Sequence, residues 1–378
     1  MKEDPLSSIS FGSSSSTVGL DIGTDHVRAV QLRPAGAGFA LTGYGAVEVP
    51  MGAVVEGEIV DIEAVTSVIR EVWRRSGVRG KDVSIGVSNQ KVIVRLIDLP
   101  FMERAELAGA IQYQAQDYIP MAIEESILDF QIIGDYMTPS DEHMMEVLLV
   151  AAHRDMIGST VAAVEGAGLR LSQIDVSSFA IVRALMGPNG MSDLDESGFA
   201  TGIIHISSGI TNIAVVERGI PRFNRISSLA GNQFTQAVAN VLNLTFDEAE
   251  QLKISVGLPD IDGGAVQTPP DVDPAMAPIV QDSLEREVNK FIAEVRRSLD
   301  YYLTQTSQVR TIQRILLTGS GAQLRNLPSY LEKGLQAQVV IGDPLARVQV
   351  PANLQQAVFA DRMGSATAIG LAMGGVEL

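Results

Sequence analysis

Val18-Gly-Leu-Asp-Ile-Gly-Thr-Asp-His-Val-Arg-Ala-Val-Gln-Leu32 reads as a strand, a tight turn and a returning strand. Val18, Leu20 and Ile22 alternate as a half-buried strand does, and Val27, Ala29 and Gln31 share one face of the return. Gly23 lets the backbone turn sharply, so the Thr24 and Asp25 N–H groups can point into a concavity. Asp21 stands just ahead of that turn, where its carboxylate can hold a hydrated Mg2+. Magnesium keeps most of its waters and is commonly bound by one or two carboxylates plus substrate phosphates. Taken alone, the pattern is equally an ordinary β-hairpin with an aspartate at its turn.

A second copy changes the balance. Gly202-Ile-Ile-His-Ile-Ser-Ser-Gly-Ile-Thr-Asn-Ile-Ala-Val-Val216 repeats the strand–polar turn–strand plan about half a chain later, as an internal duplication would. His205 stands where Asp21 stood, and Ser207-Ser208-Gly209 replaces Gly23-Thr24. Two opposed phosphate hairpins on two halves of one chain make a clamp for a nucleotide, and in this layout the sequence resembles the actin-like ATPase superfamily.

The 378 residues suffice for two or more subdomains with sizeable cores. A net charge of −17, from 45 acidic against 28 basic residues, disfavours direct binding of nucleic acid or anionic lipid. It does not exclude a local basic patch. The absence of cysteine rules out disulfides, thiol nucleophiles and Cys-ligated zinc, and suits a cytoplasmic setting. The four histidines, His26, His143, His153 and His205, lack metal-ligand spacing. No run approaches the roughly 20 apolar residues needed to span a bilayer. Residues 1–16 are acidic, then serine-rich, without the apolar core of a signal peptide, so residues 1–17 are expected to be a disordered tail.

Between the hairpins, a strand pair is expected over 39–49 and an amphipathic helix over 62–76, with Val65, Val68, Ile69 and Val72 on one stripe. Strands at 83–87 and 92–99 precede a helix over 103–119 that turns Leu107, Ile111, Ala115 and Tyr118 inward, with Pro120 as its stop. Strands at 129–133 and 146–152 and a helix at 155–168 follow. Residues 83–169 thus form a block inserted into the first half, which otherwise spans 18–82 and 170–200. Beyond the second hairpin, a glycine turn opens a helix over 229–242, whose N–H groups favour an anion. A second helix runs over 246–255, and 257–278 is a Pro-, Gly- and Asp-rich loop. A long helix over 283–303, a strand at 314–318 ending at Gly319-Ser-Gly, a helix at 327–335, a strand at 338–341 and an apolar helix at 366–373 complete the second half. That half is taken as 201–378, with an insertion at about 227–305.

Five segments stand in actin-like order: the Asp21 hairpin, the strand–helix at 175–185, the His205 hairpin, the strand–Gly-Ser-Gly–helix at 317 and the final helix. More closely, the chain resembles the PilM family of type IV pilus assembly proteins, relatives of the cell-division protein FtsA. Its most specific segments are Ile111-Gln-Tyr-Gln-Ala-Gln-Asp-Tyr-Ile-Pro120, Asp175-Val-Ser-Ser-Phe-Ala180, Phe246-Asp-Glu-Ala-Glu-Gln-Leu-Lys253 and Glu294-Val-Arg-Arg-Ser-Leu-Asp-Tyr-Tyr302. The resemblance implies an α/β, actin-like (ribonuclease H-like) duplicated fold with two phosphate-hairpin domains and an FtsA-type inserted 1C subdomain. It implies ATP and Mg2+ as ligands. Asp21 would organise Mg2+ through water, and Gly23 and Thr24 would hold the β- and γ-phosphates. Ser207, Ser208, Gly209 and Thr211 would face them, and Gly231 and Asn232 would lie near the ribose and phosphates. Glu250 and Lys253 would reach the ribose or adenine unless they form only a surface ion pair. Gly319, Ser320 and Gly321 would admit the adenosine.

Two departures stand out. Relatives usually carry Asp where this chain has His205, and commonly Glu at the position aligned with Ser177. Phosphoryl transfer depends on positioning and charge stabilisation, so both losses should impair hydrolysis more than binding. The resemblance further implies that an N-terminal peptide of a PilN-like membrane protein docks in a groove between the inserted block and the first phosphate domain, with Leu99, Phe101, Ile111, Tyr118 and Ile119 as candidate contacts. Pilus motor ATPases and self-association are further expected partners, and membrane contact is expected only through the PilN-like protein. The rival readings are an active actin-like ATPase, an FtsA-like division protein and a small-molecule kinase. No substrate-facing catalytic base is recognisable for the kinase, and residues 373–378 do not provide the amphipathic helix that the division protein requires.

Overall fold

The two hairpins seed two sheets of one plan, seen in the computed structural model over residues 18–186, 200–217, 219–261, 272–305 and 311–374. The tail expected at 1–17 lies outside these residues. Each sheet begins as an antiparallel meander. Val18–Ile22 pairs with His26–Ala35, which pairs with Gly38–Glu48. Likewise Ala200–Ile206 pairs with Thr211–Glu217, which pairs with Ile220–Ser227. Two parallel strands then extend each sheet on the other side of its first strand. They are Asp82–Val87 and Arg170–Val176 in the first half, and Ile312–Thr318 and Gln338–Ile341 in the second. The shared order, 3-2-1-4-5, is the duplication that the repeated hairpin announced.

Helices form where apolar residues recur at three- and four-residue spacing. Ile62–Ser76 is capped by Asp61, whose carboxylate accepts the Ala64 N–H at 2.9 Å, and ends at Gly77 in the left-handed region at φ 70°. Its Val65, Ile69 and Val72 pack into the first core with Val18, Leu20 and Ile85. The long helix Met276–Gln305 buries Leu284, Val288, Phe291, Val295 and Leu299 along one stripe of the second core.

Two boundaries differ from the sequence reading. Strand Asp82–Val87 belongs to the first sheet and helix Arg154–Gly166 packs on Ile62–Ser76, so the insertion is narrower than 83–169. Its core is a three-stranded antiparallel sheet in the order Val92–Pro100, His143–His153, Ser126–Met137. Helix Arg104–Gln114 covers one face of that sheet. It ends earlier than expected, passing into a 3-10 turn at Ala115–Asp117 that leaves Tyr118 exposed.

The C-terminal segment also changes sides. Val348–Gln349 adds a strand to the outer edge of the first sheet, and helix Ala366–Gly374 lies across that sheet rather than on the second. Burial on both faces explains this placement: Val30, Leu32 and Phe39 need an apolar cover, and Ala368, Ile369, Ala372 and Met373 supply it. The cover is close. A Cβ on Gly19 would lie 2.1 Å from the Ala368 carbonyl oxygen, and one on Gly370 would lie 1.8 Å from that of Ala180.

Gly370→Ala should therefore cost about 3 kcal/mol through overpacking. Gly109→Ala, in helix Arg104–Gln114 with open space around it, should gain about 0.5–1 kcal/mol. Urea unfolding midpoints of the two variants, moving in opposite directions from the parent, check both.

Candidate functional site

Both turns span four residues, 23–26 and 207–210, and both point into the cleft between the sheets. Asp21 lies opposite Arg28 in the first hairpin, and His205 lies opposite Asn212 in the second. Between them is a small cavity of about 50 Å3. Asp21, Gly23, Thr24, Asp25, Arg28, Ser177, His205, Ser207, Asn212 and Ser320 line it. Small-molecule pockets usually hold several hundred Å3, so a nucleotide requires the halves to part.

The halves are closed by direct contacts. Gly209 abuts Thr24 so tightly that a Cβ would fall 2.3 Å from the Thr24 hydroxyl. Ser208 lies near enough to Asp25 to favour its ionised form, and the buried Ser88 hydroxyl donates to Asn212 Oδ1 at 2.6 Å. Outside the cleft, Arg222 of the second sheet pairs with Glu146 of the inserted block.

Charge in the cleft centres on Arg28, which is 4% exposed. Its guanidinium grips Asp361 through two bonds of 2.7 and 3.1 Å and lies 3.5 Å from Asp25. The Tyr44 hydroxyl donates to the same Asp361 carboxylate at 2.6 Å. Asp21 faces only the small cavity, and burial pushes its pKa up to about 7 against the pull of Arg28. Burial works the same way on Asp25, but the bond from His26, the charge of Arg28 and the nearby Ser208 outweigh it and hold this carboxyl below the usual range. His205 is lowered to about 4, first by burial and then by Arg28. Its two ring nitrogens have no hydrogen-bond partner among the described residues, so a neutral imidazole faces the cleft.

The expected site residues separate into those in the cavity and those elsewhere. Asp21, Gly23, Thr24, Ser207 and Ser320 share the cavity, with Ser208 and Gly209 at its closed wall. Thr211 does not face phosphates in this structure: it is fully buried, and its hydroxyl donates to the Leu229 carbonyl at 2.7 Å. The start of helix Gly231–Leu242 is already satisfied, because the Gly231 and Asn232 N–H groups donate to the Ser207 and Ser208 carbonyls. Glu250 and Lys253 are outside the cavity lining but are more than a surface pair. Lys253 is 9% exposed, bonds Glu250 at 2.7 Å and donates to the buried Thr235 hydroxyl at 2.9 Å. Gly319 and Gly321 are small because Ile206 packs on them; a Cβ on Gly319 would lie 2.2 Å from the Ile206 carbonyl oxygen. On the inserted block, Leu99, Ile111 and Ile119 lie in the core, each at most 6% exposed, and present no surface to a partner. Phe101 and Tyr118 remain exposed, and Phe101 stacks on His143 at 4.1 Å between ring centroids.

Arg28, Asp361 and Tyr44 escaped the sequence reading. The signal was present for Arg28: it interrupts Val27, Ala29, Val30 and Leu32, a run apolar on both faces, where a charge must find a partner. Nothing local marks Asp361, which arrives from 333 residues away.

The cavity's donors suit phosphate oxygens: turn N–H groups, hydroxyls and a guanidinium. For a cation they are sparse. No cluster of three His, Asp or Glu is arranged for a metal among the described residues, and Asp21 is the carboxylate not bonded to Arg28. A hydrated Mg2+ held by Asp21 and by phosphates is compatible with this set.

A family model for the type IV pilus assembly protein PilM matches residues 19–376. The chain is similar to a chain of the PilM–PilN type IV pilus biogenesis complex, with 26% identity, a TM-score of 0.79, and 96% of this chain and 98% of that chain covered. It is 23% identical over 332 residues to the cell division protein FtsA of Enterococcus hirae, covering 81% of this chain and 73% of that protein. MreB5 of Spiroplasma citri bound to AMPPNP shares the fold at 13% identity, with a TM-score of 0.50 and 93% of each chain covered.

Because the folded pKa of Asp21 exceeds its unfolded value of 3.8, the native state binds the extra proton between pH 4 and 7. Stability from this group is therefore lost as pH rises through that window. Asp21→Asn should raise the urea midpoint at pH 8, and the gain should vanish near pH 4. A gain independent of pH would contradict the assignment.

Proposed function

The chain belongs to the family of the type IV pilus assembly protein PilM, and on that footing we propose that it is a nucleotide-binding adaptor of the pilus assembly platform. The observation that carries the nucleotide part is the pairing of two four-residue turns across one cleft, with Asp21, Thr24, Arg28 and Ser207 converging on it. Opening the cleft would bring turn N–H groups and Arg28 onto the phosphates, with Asp21 holding a hydrated Mg2+ beside them. The bound ion would neutralise phosphate charge and deepen affinity.

Hydrolysis should be slow or absent. His205 is neutral and Ser177 is a hydroxyl at the two positions where a carboxylate would hold the Mg2+ water shell or orient the attacking water. ATP then acts as a structural ligand. It shifts the population from the closed arrangement, held by Thr24–Gly209 and Ser88–Asn212, to an open one.

The partner would be the N-terminal peptide of a PilN-like protein, as the complex of the similar protein suggests. Of the candidate contacts on the inserted block, Phe101 and Tyr118 are the ones that stay exposed. The protein would work in the cytoplasm, at the inner face of the membrane to which the partner is anchored. Among the described residues, no helix is long and apolar enough to cross a membrane. Pilus motor ATPases and a second copy of the chain are further proposed partners.

Calorimetric titration with Mg-ATP, run beside a phosphate-release assay, tests the nucleotide reading. Binding without steady release is expected, and rapid turnover abolished by Asp21→Ala would overturn it. The double variant His205→Asp/Ser177→Glu should gain phosphate release about 100-fold, the scale of one well-placed acid–base group. Phe101→Ala should weaken a fluorescent PilN-tail peptide about tenfold.

A further inference from the structure

The chain as a whole is strongly acidic, yet residues 70–81, Arg-Glu-Val-Trp-Arg-Arg-Ser-Gly-Val-Arg-Gly-Lys, hold five of its 28 basic residues against one acid. They occupy the last turns of helix Ile62–Ser76 and the loop leading to strand Asp82–Val87. Arg74 and Arg75 share Glu71, and their side chains are 74% and 65% exposed. The loop is fastened rather than loose: Gln31 Nε2 donates to the Arg79 carbonyl at 3.0 Å, and the Arg79 N–H donates to Gln31 Oε1 at 3.1 Å. Arg33, two residues further along that strand, is exposed as well. Arg33, Arg79 and Lys81 have no ion-pair partner among the described residues. Trp73, the chain's one tryptophan, sits half-buried within the patch.

We infer that this patch is a docking surface for an anionic lipid bilayer. A cluster of this size is characteristic of segments that meet anionic headgroups, each basic side chain adding modestly to the attraction. The net charge of −17 is no obstacle at contact. At physiological ionic strength, charges more than about 8 Å behind the patch are largely screened from the headgroups. Nucleic acid fits the surface less well. A useful affinity for duplex DNA takes about 6–10 phosphate contacts, and a helix end with one loop offers fewer. The cleft cavity includes none of these residues. A few charges have a marginal effect alone but a real one for a protein already tethered to a membrane, where effective concentration is high. The biological setting thus rests on the proposed membrane-anchored partner, but the surface itself does not. It would turn the Arg74–Lys81 end of the first half toward the lipid and set the orientation in which the cleft and the inserted block are presented.

The test uses the full chain without any peptide. It is mixed at physiological ionic strength with vesicles of equal parts phosphatidylglycerol and phosphatidylcholine, some carrying a spin-labelled lipid, while Trp73 emission is followed. Binding to these vesicles, quenching of Trp73 by the spin label and release at ~1 M salt, where the Debye length is about 3 Å, are expected. The exposed triple variant Arg74→Gln/Arg75→Gln/Arg79→Gln should partition about 100-fold less. Circular dichroism should show it folded. No partition, partition without quenching, or equal partition by the triple variant would each overturn the inference. So would preference for a DNA duplex over the vesicles. A PilN-tail peptide that binds while vesicles do not would leave the adaptor reading standing and remove this one alone.

Discussion

Arg28 is a charge that cannot be left alone. It lies inside a strand buried on both faces, and taking its guanidinium from water is tolerable only if carboxylates meet it with good geometry. Asp361 does so with two bonds, steadied by the Tyr44 hydroxyl, and Asp25 completes the set from the turn. This small network joins the first hairpin to a segment more than three hundred residues away. It fixes where the final helix begins, because Ser365 and Ile369 continue from Asp361 in a chain of backbone bonds. The helix then lies on Gly19, in the strand that carries Asp21. Loss of one partner would leave an unpaired buried charge at the base of the cleft.

The same network explains the electrostatics of the site. A cation already placed beside Asp21 lets this carboxyl lie in a tight cavity, although burial still raises its pKa to about 7. Across the cleft, Arg28 and burial together keep His205 neutral. The two halves of the duplication are thus not equivalent. One wall carries an ionisable carboxyl and a guanidinium, while the other carries an uncharged imidazole and hydroxyls. Such a cleft presents hydroxyls and a guanidinium from facing walls, with Asp21 its carboxylate not paired with Arg28.

The inserted block shows how surface and core compete for the same residues. Leu99, Ile111 and Ile119 resemble partner contacts in the sequence because they are apolar and lie in or near its family-specific stretch at 111–120. In the fold they are consumed by the core between helix Arg104–Gln114 and the three-stranded sheet. A helix that buries only Leu107 and Ile111 leaves its remaining surface, Tyr113 included, to solvent.

Local sequence determined the hairpins, the alternating strands and the amphipathic helices, because each of these depends on periodicity within a few residues. The repeat of Asp21 by His205 similarly revealed the duplication. Turn position directed Asp21, Gly23, Thr24 and Ser207 toward one cleft, and the family resemblance added Ser320. What the tertiary structure decided was everything resting on distant partners. Thr211 turned to Leu229, and the helix start at Gly231 was satisfied by the second turn. Lys253 was buried on Thr235, and the C-terminal helix crossed to the first sheet. The reason is the same in each case. A polar group or apolar face shows in sequence what it needs, but which of many distant residues meets that need is settled only when the two sheets close.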